Sequence, residues 1–170
     1  MIRIKLFCFR LDLAIELLRG LLVDSRKSYP EVSFAYVDVM VSGVLGVAPD
    51  ALADRVITTH RLPTNMTWAN ASSIAIGAHS VAIAHTRDES GRLWSSFSHE
   101  RVEMPWASDA DLVWTARFAV DGGRAANATL WVNGMATAAT VEHQAGDPRL
   151  VLLAVNVTVP RGESSIVATV

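Results

Sequence analysis

The chain has 170 residues, 51% of them hydrophobic and 19% charged, with a formal net charge of −2. This composition excludes disorder as the main state, and the length suits one domain that buries about two thirds of its unfolded surface. The small net charge and lack of a basic block argue against nucleic acid and anionic membrane surfaces as partners. Cys8 is the sole cysteine, which excludes an internal disulfide and a cysteine-based metal site.

The opening MIRIKLFCFRLDLAIELLRGLL places basic residues before an apolar run, as a signal peptide does. Arg10, Asp12 and Glu16 interrupt the run and no small-residue cleavage site follows. The run is also too short and too charged to span a membrane, so no membrane span is expected. Residues 1–10 carry no readable pattern and fit the start of a shortened gene. Leu11 to Val23 reads as an amphipathic helix with Leu11, Ile15, Leu18 and Leu22 on one face. Ser33 to Val47 is apolar on nearly every side, with Asp38 and Ser42 as polar breaks. Such a segment is a helix buried all round or one whose partner is missing. Gly43 and Gly46 permit close backbone approach, and Gly46 followed by Pro49 reads as a helix stop. Residues 1–48 are therefore expected to hold two N-terminal helices.

From Arg55 onward, short alternating runs recur about every ten residues, the signature of an antiparallel β-sandwich. The expected strands are Arg55–Leu62, Ser72–Ile76, Ser80–Thr86, Arg92–Ser98, Leu112–Val120, Asn127–Val132, Thr137–His143, Leu150–Val159 and Ser165–Val170. Gly77, Asp88 to Gly91, Asp121-Gly122-Gly123, Asn133-Gly134 and Pro160 to Glu163 supply the turns, Asn-Gly being the strongest two-residue hairpin signal. Alternation puts Leu112, Trp114, Ala116, Phe118 and Val120 on the inward face of their strand. Leu150–Val159 is apolar on both faces at its start, as a strand through the sandwich centre is. The fold class is mainly β, an antiparallel sandwich over 49–170 preceded by two helices.

The junction GVLGVAPDALADRVITTHRLPTNMTW, after the all-apolar segment, resembles the end of the (α/α)6 barrel in six-hairpin glycoside hydrolases. The residues concerned are Gly43, Leu45, Gly46, Pro49 and Asp50, then Leu62, Pro63 and Trp68. Upstream, Leu13 to Glu31 is similar to the penultimate helix and its "LPE" connection, with Tyr29 in place of leucine. Downstream, Ile74 to Leu93 is similar to the hairpin that follows. The likeness covers roughly residues 11–98 and rests on the order of elements more than on any one residue. It implies the last barrel helices and β-sandwich of a glycogen-debranching or rhamnosidase-like protein. The helices that carry that family's catalytic acid and base lie upstream of this chain. The resemblance therefore implies a non-catalytic C-terminal module or fragment that caps a catalytic barrel in cis or meets another hydrophobic partner. It also sets Glu31 near the barrel mouth as the one weak catalytic candidate.

Glycosidase chemistry needs two carboxylates flanking one bond on a rigid scaffold. Asp109 with Asp111, Asp88 with Glu89, and Glu100 with Glu103 all fall among polar neighbours, where carboxylates are usually solvated. The histidines do not make a close ligand set, since His79 and His85 share a face but lie six residues apart on a strand. No metal site and no cofactor is expected. Five tryptophans leave a second reading open, a stand-alone carbohydrate-binding or adhesive sandwich. Trp114 is in phase with the core. Trp106, in a loop, and Trp131, out of phase with Leu130 and Val132, are the carbohydrate-binding candidates. Burying Trp131 would remove the larger apolar area from water, which favours an interior position for it. Asn65, Asn70, Asn127 and Asn156 head Asn-x-Ser/Thr triplets, against about one expected by chance. A glycosylated, secreted parent and a chance product of Thr-rich strands are both compatible with that count.

Overall fold

A computed structural model of the chain describes residues 37–102, 107–122, 129–143 and 150–169. The elements are a short π-helical segment, Val39–Val44, then β1 (Ala48–Asp50), a 3-10 turn (Ala51–Ala53), β2 (Arg55–His60), β3 (Trp68–Ile76), β4 (His79–Arg87), β5 (Leu93–Glu100), β6 (Leu112–Asp121), β7 (Leu130–Val132), β8 (Met135–Thr137), β9 (Thr140–His143), β10 (Leu150–Val159) and β11 (Ser164–Thr169). They form a five-stranded sheet ordered β1-β2-β6-β10-β9 and a six-stranded sheet ordered β3-β4-β5-β11-β7-β8. One core joins the inner faces. Val56, Leu112, Trp114, Phe118 and Leu153 come from the first sheet, and Val81, Ile83, Phe97, Leu130 and Val167 from the second. Phe97 stacks on Trp114 across the gap, with ring centroids 5.2 Å apart. The fold is mainly β, built as two packed sheets.

Three expectations need correction. The first concerns the two N-terminal helices. Residues 1–36 lie outside the described residues, and the described part of the expected second helix is helical over 37–44, with the π-helix Val39–Val44. Its ladder is wide, with the Leu45 N–H donating to the Met40 carbonyl and the Val47 N–H to the Val41 carbonyl. β-Branched valines with Gly43 and Gly46 are poor α-helix formers, so the described end of the segment is irregular. Val44, Leu45 and Val47 instead drop into the sandwich core.

The second correction is that the sandwich is not wholly antiparallel. β2 pairs β6 in parallel, Arg55 opposite Val113 through His60 opposite Phe118. The intervening chain builds β3, β4 and β5 of the other sheet, long enough for a crossover between parallel neighbours. The third is that Thr137–His143 is not one strand. β8 belongs to the six-stranded sheet and β9 to the five-stranded one, so the chain changes sheets at residues 138–139. The strand Ala48–Asp50 has too few residues for a readable alternation.

Gly46 fixes how the helical segment meets the sandwich. Its φ is +58°, and a Cβ there would stand 2.8 Å from the Thr59 nitrogen, against backbone that has no room to move. The Thr59 N–H also donates to the Gly46 carbonyl at 3.1 Å. Gly46→Ala therefore combines a left-handed backbone with a backbone clash, and is expected to cost about 2–4 kcal/mol. Thermal unfolding should show Tm falling by about 5 °C or more. An unchanged Tm would contradict this account of the junction.

A tryptophan row on an outer sheet face, above a buried histidine network

The six-stranded sheet has two faces, and alternation assigns every residue of its strands to one of them. On β5, Ser95, Phe97 and His99 point inward and are buried, while Trp94 faces out. On β7, Leu130 is fully buried and Trp131 is 38% exposed, which overturns the interior position favoured from its area. The reason is register. Trp131 pairs with Ala168 of β11, whose inward neighbours are Val167 and Thr169, so Leu130 has the core side.

Following that register across the sheet gives a row no single strand reveals. Trp68 of β3 lies opposite Thr86 of β4, Thr86 opposite Trp94 of β5, Trp94 opposite Ala168, and Ala168 opposite Trp131. Three indoles thus stand on one outer face in one line across the strands, separated by the small side chains of Thr86 and Ala168. They are 61%, 39% and 38% exposed respectively. Adjacent strands lie about 4.8 Å apart, so successive indoles are rooted roughly 9–10 Å from each other. The Asp88 carboxylate in the β4–β5 turn accepts from the Ser90 N–H and hydroxyl and from the Arg92 N–H. These hydrogen bonds, Ser90 foremost, hold Asp88 below the usual carboxylate range.

Beside the indoles lies a shallow hollow of about 340 Å³ lined by small side chains, among them Asn70, Ala82, Ala84, Ser96, Ser98 and Ser164. At its far end the Glu100 carboxylate accepts from the Ser80 hydroxyl at 2.6 Å and the Ser73 N–H at 3.1 Å, holding the bulge of β3 where Ser73 has φ +56°. The face is aromatic along one line and neutral and hydroxylated beside it.

The other expected site residues scatter. Glu31 and Trp106 lie outside the described residues. Trp68 stands exposed in the row. Arg117 is on the five-stranded sheet and pairs with Glu142 at 3.0 Å. Asp109 pairs with Arg161, and Asp88 closes a turn. Asn65 is exposed in a turn and Asn70 on the hollow's rim, whereas the Asn156 amide oxygen accepts from Thr115 at 2.7 Å. Asn127 lies outside the described residues.

Four histidines do come together, inside the sandwich. His60, His79, His85 and His99 are buried, and the His60 and His85 rings lie 4.7 Å apart. The signal was in the sequence, since His79, Val81, Ile83 and His85 share one phase, as do Ser95, Phe97 and His99. His85 Nε2–H donates to the Leu45 carbonyl at 3.0 Å and its Nδ1 accepts from the Ser95 hydroxyl at 2.8 Å. His60 Nε2–H donates to the Thr86 carbonyl at 3.0 Å. Both rings are thus satisfied as neutral imidazoles. His79 bridges the Asp54 carboxylate at 3.0 Å and His99 Nε2 at 3.1 Å, and His99 Nδ1 faces the Val159 carbonyl at 3.2 Å. Those three bonds require three ring protons over four nitrogens, one more than two neutral rings carry. Desolvation lowers the His99 pKa, the Val159 carbonyl raises it, and His79 and Arg161 lower it further against Asp111. Among the described residues no three metal-ligating side chains converge.

No protein-family profile matches the chain, and no characterised protein sequence matches it either.

The buried histidines set a pH dependence. Desolvation first, then the neighbouring His85, lowers His60 to about 3, and desolvation lowers His85 to about 4, from 6.5. Both folded-state values lie below the unfolded one, so the unfolded chain takes up protons first as pH falls. Stability is complete above about pH 7 and is lost progressively from about pH 6.5 down to about 3. Denaturant unfolding at pH 7 and pH 5 should differ by roughly 3–4 kcal/mol from these two groups. His85→Gln, which keeps a donor and an acceptor, should roughly halve that difference. A flat profile between the two pH values would contradict neutral burial.

Proposed function

We propose that this domain is a non-catalytic β-sandwich module that holds carbohydrate for a glycoside hydrolase-like protein. The observation that carries the reading is the single row of Trp68, Trp94 and Trp131 on an outer sheet face. The electron-rich face of an indole attracts the C–H edge of a pyranose ring and loses apolar surface to it on contact. Hydroxyls and amides beside the row, from Ser96, Asn70 and Ser98, offer partners for sugar hydroxyls. The parent's class comes from the resemblance of residues 11–98 to the end of a six-hairpin barrel and its sandwich. The carboxylates described above are engaged in turns and ion pairs, which agrees with a binding role.

Capping of a barrel in cis is a second reading, favoured by a different observation. Val37, Met40, Val41, Ala71 and Ile74 line an apolar hollow beside β3, and Leu52 stands fully in solvent. Large exposed apolar areas mark contact surfaces.

The two readings separate at Trp131. Trp131→Ala should lose retention in affinity electrophoresis through a polysaccharide gel while costing only about 1–2 kcal/mol of stability, because the side chain is part-exposed. Trp114→Ala, in the core, should instead cost about 3–5 kcal/mol. Retention unchanged in Trp131→Ala would leave capping as the reading.

A further inference from the structure

Resting on that carbohydrate-binding reading, we infer that the tryptophan row takes one extended, twisted β-1,4-linked glycan chain running across the strands, and not a flat crystalline polysaccharide surface. The spacing supplies the linkage. Indoles two strands apart recur roughly every 9–10 Å, close to the length of two pyranose rings. In a β-1,4-linked chain each ring is turned over relative to the last, so every second ring offers the same face to a support. Trp68, Trp94 and Trp131 therefore address alternate rings, while the rings between them bridge over Thr86, which is exposed, and over Ala168, which its neighbours already cover. An α-linked chain coils and leaves such a line after one or two platforms.

Sheet twist supplies the form of the ligand. Neighbouring strands are rotated by about 20–25° on average, so successive platforms differ by roughly 40–50° about the row axis. A crystal face is planar and meets one platform squarely while missing the next. A single chain in solution has free glycosidic torsions and follows the rotation. Charge agrees, since the hollow beside the row is lined by alanine, serine and asparagine and carries no cation for a phosphate or uronate backbone.

Three platforms on one rigid sheet act as linked sites, and each further ring pair that reaches a platform adds affinity without a new encounter. Spanning all three takes about five rings on the strand spacing. Isothermal titration of the whole chain with cello-oligosaccharides of two to eight units tests this directly. Affinity should climb to about five or six units and then level off. In Trp131→Ala the plateau should move to about three units, with the hexasaccharide roughly tenfold weaker and the trisaccharide unchanged. Pull-down on microcrystalline cellulose and titration with malto-oligosaccharides run alongside. Binding to the crystalline solid with no rise along the soluble series overturns the single-chain inference and leaves carbohydrate binding standing. Equal affinity for malto-oligosaccharides overturns the β-1,4 assignment in the same way. No binding to any of these glycans, with circular dichroism showing a folded chain, overturns the carbohydrate-binding reading itself.

Discussion

Phe97 and Trp114 stack across the gap between the two sheets, and the phase of each strand follows from which side of that contact it must fill. With Phe97 inward, Ser95 and His99 are inward and Trp94 and Ser96 outward, because successive side chains of a strand alternate. Hydrogen-bonded register then carries the assignment to β4 and β3 on one side, and to β11, β7 and β8 on the other. The outer row of tryptophans is thus a consequence of the inner packing. A one-residue slip in β3, β5 or β7 would send an indole into the core and a core residue into solvent.

The same inward phase explains why the interior is partly polar. Histidines on the core side must find acceptors or stay unsatisfied, and an unpaired buried polar group costs about 1–3 kcal/mol. His85 uses Leu45 and Ser95, and His60 uses Thr86, so the rings bond the Val44–Val47 segment and the strand edges to the sandwich. The left-handed Asp54, at φ 45°, aims its carboxylate at His79. Asp is among the few non-glycine residues that tolerate that backbone.

Much of the fold was legible in the sequence. Leu112 to Phe118 reads correctly because four alternating positions define a phase, and the Asn133-Gly134 turn falls between β7 and β8, with both residues at positive φ. Trp131 was misread because β7 has three residues, too few to choose between phases, and side-chain area is not what decides. Its partner Ala168 lies 37 positions away, and pairing at that distance is invisible to local pattern. The parallel match of β2 with β6 and the sheet change near Ala139 are equally non-local. The histidine cluster was within reach, since His79 and His85 share the phase of Val81 and Ile83. Their ring partners, His60 and His99, sit on other strands, a proximity that spacing along one strand does not show.

The central claim is that three tryptophans distant in sequence act as one surface, and it is tested most directly by observing all the indoles at once. In a 15N-labelled sample, the indole N–H resonances assigned by single substitution report on each ring separately. Addition of cellohexaose should shift the signals of Trp68, Trp94 and Trp131 with a common midpoint while the buried Trp114 signal stays in place. Shifts at one of the three alone, or three different midpoints, would contradict a single site built by the register of the sheet.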